Sequence, residues 1–407
     1  MKRVAIIGGG ASGMFAAIAA ATANPHAQVM ILEQKERIGK KILSTGNGRC
    51  NLTNEYMELS CFRSDTPEAI APILEQFTEK DTMDFFEKLG VLMKSRNGYI
   101  YPRSDQATTI LEMLQMKLEH LGVEVHTEVV VKEIQKGNKG FQIRTSKGKF
   151  QADRVILATG GKAASVLGSD GSGYSFAKKF GHHLSPVVPA LVQLKTRKNP
   201  LQKAAGVRLD GKISAYDGEN LVASDTGELQ LTAYGISGIP VFQVSRYLAK
   251  ALYYQRKAEV EVDFVPYMDE TQWQTFMQNR RAQCMQWSVT EFLTGIFNQK
   301  LIPRILEIAC IPSSKMVAEL TEKDMQILMQ RCKHTRLTVT ETNGFENAQV
   351  CAGGVCLDEV NPDTMESKLV EGLYLVGELL DVDGICGGYN LQWAWATGKI
   401  AGTHAGN

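Results

Sequence analysis

Short apolar runs alternate with longer helical periods over the first part of the chain. Val4, Ala5, Ile6 and Ile7 form one such run, and residues 28–32 form another that ends on Glu33. The alanine-rich stretch between them reads as a helix. Residues 67–89 and 108–121 have helical spacing, 123–134 read as a strand-pair region, and 141–145 and 154–158 read as strands. Strands alternating with helices predict a doubly wound α/β domain.

The pattern changes at about residue 189. Residues 191–195, 206–216, 221–222, 228–231 and 258–265 are short and strand-like, with turn residues between them. Residues 272–283, 289–298, 301–310, 315–320 and 322–332 then read as helices, with Pro303 and Pro312 at or near helix starts, where proline is tolerated. A strand at 338–341 returns to the β-rich body. The predicted organisation is an α/β domain over 1–188, an insertion over 189–345, and re-entry into the first domain over 346–407. Within the insertion, 189–266 and 334–345 are β-rich and 267–333 are helical. There is no internal repeat and no low-complexity linker.

The first turn carries chemistry. Gly8-Gly9-Gly10-Ala11-Ser12-Gly13 joins the first strand to the first helix. Gly8 permits the tight turn, Gly10 lets the backbone approach a pyrophosphate, and Gly13 lets helix and strand pack closely. The helix N-terminus offers N–H groups and a positive dipole end to phosphates. Glu33 falls about 20 residues further on, where an acidic side chain binds ribose hydroxyls. A signal peptide is the competing interpretation, because Lys2 and Arg3 precede an uncharged run. The glycines and the later matching motifs argue against it.

Two further strand ends look alike. Val155-Ile156-Leu157-Ala158-Thr159-Gly160-Gly161 ends in small residues that let a loop approach a flat or phosphorylated ligand. Gly372-Leu373-Tyr374-Leu375-Val376-Gly377-Glu378 leads through Asp381, Asp383 and Gly384 to Gly387-Gly388-Tyr389-Asn390 and a helix from Leu391. That second helix N-terminus suits the negative charge that develops on a reduced flavin. A nicotinamide dinucleotide needs no such distant contact. FAD does, since its ring extends beyond the pyrophosphate. No second complete G-x-G-x-x-G unit appears, so no separate nicotinamide domain is predicted.

Composition bounds the partners. The 407 residues carry a net charge of +1, so no global field draws the protein to nucleic acid or acidic membranes. Lys195, Arg197, Lys198, Lys203, Arg208 and Lys212 lie close together against Asp210, which leaves an RNA site open beside a solvated surface. The cysteines at 50, 61, 284, 310, 332, 351, 356 and 386 form no C-x-x-C pair and no zinc spacing with histidine. Metal binding is not predicted, and free thiols in a cytoplasmic protein are.

The Gly8–Glu33 unit and the two later strand ends resemble the glutathione-reductase-like FAD fold. Gly168-Ser169-Asp170-Gly171-Ser172-Gly173-Tyr174, followed by Ala177 and Gly181-His182, looks like the glycine-rich segment of the fumarate reductase branch. Residues 39–54, GKKILSTGNGRCNLTN, resemble the signature of the aminoacetone oxidase (YhiN-type) family of flavoproteins. Gly353-Gly354-Val355, Thr364-Met365-Glu366-Ser367-Lys368 and residues 387–394 match it too. The resemblance runs nearly end to end. It implies an FAD-binding Rossmann domain interrupted by a β-barrel-like and helical insertion that covers the flavin and selects the substrate. It implies FAD contacts at Gly8, Gly10, Ala11, Ser12, Gly13, Glu33, Gln34, Lys40, Lys41, Ser44, Thr45, Gly46, Arg49, Cys50, Asn51 and Val130. Further contacts are implied at Ala158, Thr159, Gly160, Gly377, Glu378, Gly387, Gly388, Tyr389, Asn390 and Leu391.

Members of that family include aminoacetone oxidases, bile-acid-type enone reductases and a ribosomal-RNA uridine reductase, so the resemblance fixes the cofactor better than the substrate. This chain departs from it where Thr232-Ala233-Tyr234-Gly235 replaces a Thr-His-x-Gly motif, and where Cys351 and Cys386 replace threonines. Arg49, Cys50 and Tyr389 are the candidate catalytic residues. Arg49 would stabilise an anionic ring or oxyanion, or else pair with a carboxylate or the pyrophosphate. Cys50 is a candidate proton donor or redox thiol, against a buried structural thiol. Tyr389 and Tyr101 are candidate proton donors, against packing roles. No histidine lies in 40–54 to link a flavin covalently.

The resulting expectation is a cytoplasmic, noncovalent FAD-dependent oxidoreductase. The leading version uses NAD(P)H, bound transiently, to reduce an activated C=C bond of a small molecule. The alternatives are an oxygen-dependent oxidase of a small amine or aminoketone, an RNA uridine reductase, and a non-enzymatic flavin redox sensor.

Overall fold

The computed structural model describes residues 1–407, which divide into two compact units, Met1–Val187 with Val350–Asn407, and Val188–Gln349. In the first unit, strand β1 (Arg3–Ile7) leads into helix α1 (Ala11–Ala23) and then β2 (Gln28–Leu32). Strands β3 (Glu124–His126), β4 (Arg154–Leu157) and β5 (Leu373–Leu375) complete a wholly parallel sheet in the order β5-β4-β1-β2-β3. Val4, Ala5 and Ile6 are fully buried, as strands covered on both faces must be.

Helix α2 (Tyr389–Gly406) lies against α1. Gly398, Gly402 and Gly406 recur every fourth residue and present bare backbone to α1. A Cβ at these positions would come within 2.5 Å of Ser12 O, 2.2 Å of Ala16 O and 2.6 Å of Ala20 O. The matched pairs advance together, so the helices run parallel. Ser12, the second residue of α1, faces Gly398, the tenth of α2. The N-terminus of α2 therefore overhangs that of α1 by about 12 Å, at ~1.5 Å per residue. Trp395 and Phe15 close the seam, with ring centroids 5.2 Å apart.

The predicted helix at 67–89 is broken. Helices at Ile70–Leu74 and Glu79–Lys88 flank a gap, because Thr78 starts a new helix with a capping box to Asp81. Residues 93–102 form a hairpin that the sequence analysis did not predict. Met93–Arg96 pairs with Tyr99–Pro102, which also pairs with Thr53–Asn54.

The second unit contains a closed six-stranded barrel in the order Leu194–Thr196, Gly235–Gly238, Asn220–Leu231, Arg208–Asp217, Ala258–Asp263 and Thr335–Thr342. The stretch 189–266 is not purely β. Ile239–Tyr253 is a helix, with Pro240 in its first turn and Val241, Val244, Leu248 and Ala251 buried at helical spacing. Of the predicted helices, 315–320 contains only the single turn Val317–Glu319. Helix Glu322–Lys333 is capped by Thr321, and Asp324 receives the Thr321 N–H and Lys315 Nζ at 3.0 and 2.8 Å. Lys315 and this cap hold the Asp324 carboxyl down to about 2. A carboxyl lowered on folding stabilises above its unfolded value and loses that contribution as pH falls through the folded one. Asp324→Asn should therefore lower the urea midpoint near neutral pH and have little effect at about pH 2. No helix is long and apolar enough to cross a membrane.

Candidate functional site

The glycine turn is built as its spacing requires. Gly8 has φ +104°, and a Cβ there would lie 2.5 Å from Ala158 O at the end of β4. At Gly13 a Cβ would lie 2.0 Å from Gly8 O. A Cβ at Gly10 would meet nothing within 4 Å, so this face of the turn is open. Helix α1 starts at Gly10 with no side-chain cap and no acidic residue in its first turn, and Ala11 and Ser12 follow directly. Glu33 is buried and accepts the Gly9 and Lys35 N–H groups, both at 2.8 Å. Each carboxylate oxygen keeps a lone pair for a ribose hydroxyl. Gln34 Nε2 donates to Gly168 O at 2.6 Å.

The three distant glycine segments meet here. A Cβ at Gly377 would lie 2.7 Å from Ser12 Oγ, and one at Gly160 would lie 2.8 Å from Ser169 Oγ. Glu378 ties them together: it pairs with Lys41 Nζ at 2.7 Å and accepts the Cys351 N–H at 2.9 Å. A Cβ at Gly161 would come within 2.8 Å of the same carboxylate. Thr159 fills the space beside Gly173, where a Cβ would meet its Oγ1 at 1.9 Å. Lys40 instead pairs with Glu36 at 3.0 Å on the surface.

The second N-terminus is that of α2. Gly388 (φ +96°) precedes it without a side-chain cap, and Gly387 (φ +133°) is framed by Asn54, Tyr99 and Tyr389. Asn54 Nδ2 donates to Gly387 O at 3.0 Å. Asn390 exchanges two hydrogen bonds of 2.9 Å with the Gly384 main chain. Leu391 packs against the core. Gln392 is fully buried; its Oε1 accepts from Thr53 and Thr82 hydroxyls, both at 2.8 Å.

Loop 44–51 is locally determined. Ser44 and Thr45 hydroxyls donate to Lys41 O and Ile42 O at 2.8 and 2.6 Å, closing the short helix before them. Gly46, Asn47, Gly48 and Cys50 all have left-handed φ. The Cys50 N–H reaches back to Thr45 O at 3.0 Å. Asn51 is buried, and its Oδ1 has no hydrogen-bond partner. A buried acceptor left open is costly and calls for a donor such as a ring N–H.

These observations fit FAD. The open Gly10 face and the α1 N-terminus suit a pyrophosphate, and Glu33 suits the ribose. The overhanging α2 N-terminus and the Asn51 acceptor suit a ring carried further along.

The three candidate catalytic residues fare differently. Arg49 is exposed and lies within electrostatic range of Tyr101 and Asp105. Burial pushes the Cys50 thiol up to about 12, against a hydrogen bond from Thr45, which suits a structural thiol rather than a thiolate. The Tyr389 hydroxyl donates to Tyr56 O at 2.9 Å, and burial raises its pKa. Its proton is thus held by the main chain, and a donor role is not what this geometry favours. Val130 is 45% exposed, and its N–H and C=O both bond Ser146. His182 bonds Glu359 and Ser367 at 2.9 and 2.8 Å, joining segments of the first unit. In the barrel unit, Ala233 sits exposed between strands, and two cations of the basic cluster are taken by carboxylates, Lys195 by Glu341 and Arg208 by Glu228.

Sequence reasoning missed Tyr99, which frames Gly387. Asn97-Gly98, with φ +53° and +86°, is the hairpin turn signal that would have found its strand.

The chain matches the model described as "HI0933-like protein Rossmann domain" over residues 2–404. It is 57% identical over 405 residues to the 3-dehydro-bile acid delta(4,6)-reductase of Clostridium scindens, covering 100% of this chain and 99% of that protein. It is 31% identical over 400 residues to the ribosomal RNA dihydrouridine synthase of Escherichia coli, covering 96% and 95%. Among solved structures, the open conformation of a flavocytochrome c3 fumarate reductase superposes with TM-score 0.52 at 15% identity, covering 100% of this chain and 78% of that one. At that identity the likeness concerns fold alone.

Proposed function

We propose, from the premise that the chain belongs to the HI0933-like family, that this FAD-dependent oxidoreductase saturates an activated C=C bond in a small, largely apolar carbonyl compound. The observation that carries the proposal is the 57% identity, across essentially the full length of both chains, to a protein named for reducing the delta(4,6) bonds of a 3-dehydro-bile acid. Bound FAD supplies hydride chemistry. Gly10, Ala11, Ser12 and Gly13 would hold its pyrophosphate, Glu33 its ribose, and Asn51 with the Gly387–Gly388 turn its ring. The reductant in this proposal is NAD(P)H bound transiently.

Purified anaerobic protein mixed with NADH or NADPH should lose its visible flavin band. Addition of a 3-dehydro-bile acid with delta(4,6) double bonds should restore it in proportion to the acid added. Recovery by oxygen alone, after bleaching by an aminoketone, would instead make the protein an oxidase.

A second possibility rests on the dihydrouridine synthase. Dihydrouridine is uridine with one C=C bond saturated, so the two relatives' names describe the same kind of bond change on different substrates. The lower identity, with two of the six cations of the basic cluster paired to carboxylates, makes RNA the lesser candidate. Reoxidation by a uridine-containing ribosomal RNA fragment and not by the bile acid would reverse that order.

A further inference from the structure

Strand Tyr99–Pro102 carries a feature that cofactor binding does not use. Ile100 is buried at 3% exposure, so Tyr99 and Tyr101 share the opposite face of the strand. Their antiparallel partners, Arg96 and Lys94, stand on that face beside them. Tyr99 Cε1 lies 2.9 Å from the Cβ position of Gly387, at the start of α2. Tyr101 Cε1 lies 3.4 Å from the Cβ position of Gly46, in loop 44–51. One strand face thus runs from the uncapped N-terminus of α2 to the loop that presents Asn51.

The tyrosines around this region are not equivalent. The Tyr389 hydroxyl is spent on Tyr56 O. Tyr99 and Tyr101 have no protein partner for theirs among the described residues. Of the two, Tyr99 is 37% exposed and Tyr101 is more covered. Burial raises the Tyr101 pKa, and Tyr99 and Asp105 add to this, while Arg49 and Arg96 act to lower it. Arg96 is itself paired with Asp105 at 2.8 Å, so Arg49 is the cation left to stabilise a phenolate once Tyr101 has released its proton.

Resting on the C=C reductase proposal above, we infer that Tyr101 is the catalytic acid that protonates the substrate. One carbon of the double bond accepts hydride from the reduced cofactor, and its neighbour accepts H⁺ from Tyr101 Oη. The π pair ends in the second new C–H bond. The cofactor is oxidised by two electrons, and the phenolate recovers its proton from water. Arg49 is a positioning residue that stabilises the phenolate.

The test uses pre-reduced holoenzyme mixed anaerobically with the same 3-dehydro-bile acid. Tyr101→Phe should slow reoxidation by on the order of a hundredfold or more, and Tyr99→Phe by less than about threefold. Reoxidation by ferricyanide, which requires no proton on carbon, should stay at the wild-type rate in both variants. FAD content should stay stoichiometric. Alkaline titration of tyrosinate absorbance should show one group lost in Tyr101→Phe, and the same group shifted to higher pH in Arg49→Gln. Wild-type reoxidation rates in Tyr101→Phe, or a loss that falls on Tyr99→Phe, would overturn the assignment alone. A wild-type enzyme that the bile acid does not reoxidise would overturn the reductase proposal and this one with it.

Discussion

Gly13→Ala should yield a folded protein that no longer retains FAD. The methyl group would lie 2.0 Å from Gly8 O and 3.2 Å from Ala158 Cβ, both parts of the turn and strand end that form the site. Neither neighbour is a flexible side chain, so α1 itself must move. Overpacking of this kind costs about 1–3 kcal/mol. Here that cost falls on the geometry of the N–H groups at the start of α1. If most of it appears as lost binding, the FAD dissociation constant rises by roughly 5- to 150-fold. Fluorescence titration of apoprotein with FAD measures this directly. Gly10→Ala is the informative contrast. Its Cβ meets no protein atom within 4 Å, so the unliganded fold should keep its thermal midpoint while FAD affinity falls. A yellow Gly13→Ala protein with wild-type affinity would mean that the pyrophosphate lies elsewhere.

Gly402→Ala should lower the thermal midpoint of the apoprotein by several degrees. The added methyl would come within 2.2 Å of Ala16 O and 2.8 Å of Ala19 Cβ, in the middle of the seam between α1 and α2. Two backbones in close contact cannot absorb a methyl by rotamer change. A cost of about 1–3 kcal/mol follows, reduced by the few tenths to 1 kcal/mol that alanine gains over glycine in a helix. Gly406→Ala is the milder case, because its approach is longer, 2.6 Å, and lies at the last residue of α2. Calorimetry without FAD would rank the two. An unchanged midpoint for Gly402→Ala would show that the helices can separate without loss. The seam also sets the overhang of α2, so Gly402→Ala should weaken FAD binding beyond what its stability loss explains.

How much of this could be read from the chain depended on whether the information was local. The strand, glycine turn, helix and acid of residues 4–33 lie in one short segment, and each glycine has a distinct steric reason. The β-barrel was legible as a change of texture. Helix Ile239–Tyr253 was not, because β-branched Val241 and Val244 continue the strand-like composition before them, although Pro240 and the spacing to Leu248 and Ala251 mark it. The break at 75–78 was written in Thr78-x-x-Asp81. The Glu378–Lys41 pair joins residues far apart in the chain, and nothing in either neighbourhood announces it. The unpartnered Asn51 acceptor likewise depends on what surrounds it in space. Tyr389 reads in sequence as a free phenol, whereas in the fold its hydroxyl donates to a carbonyl from the segment after Asn54, a contact that only the tertiary structure brings about.

Helices α1 and α2 stand near opposite ends of the polypeptide, yet each covers the other's backbone. On a ribosome, α1 emerges long before its partner; at about 5–20 residues per second the wait is roughly 20–75 s. During that interval the face of α1 that α2 will cover has no permanent partner, and a chaperone is the natural occupant. A contact of such sequence separation forms slowly even after release. Cofactor capture is therefore a late event in the life of each molecule: a prematurely terminated chain would carry the dinucleotide fingerprint and still emerge colourless.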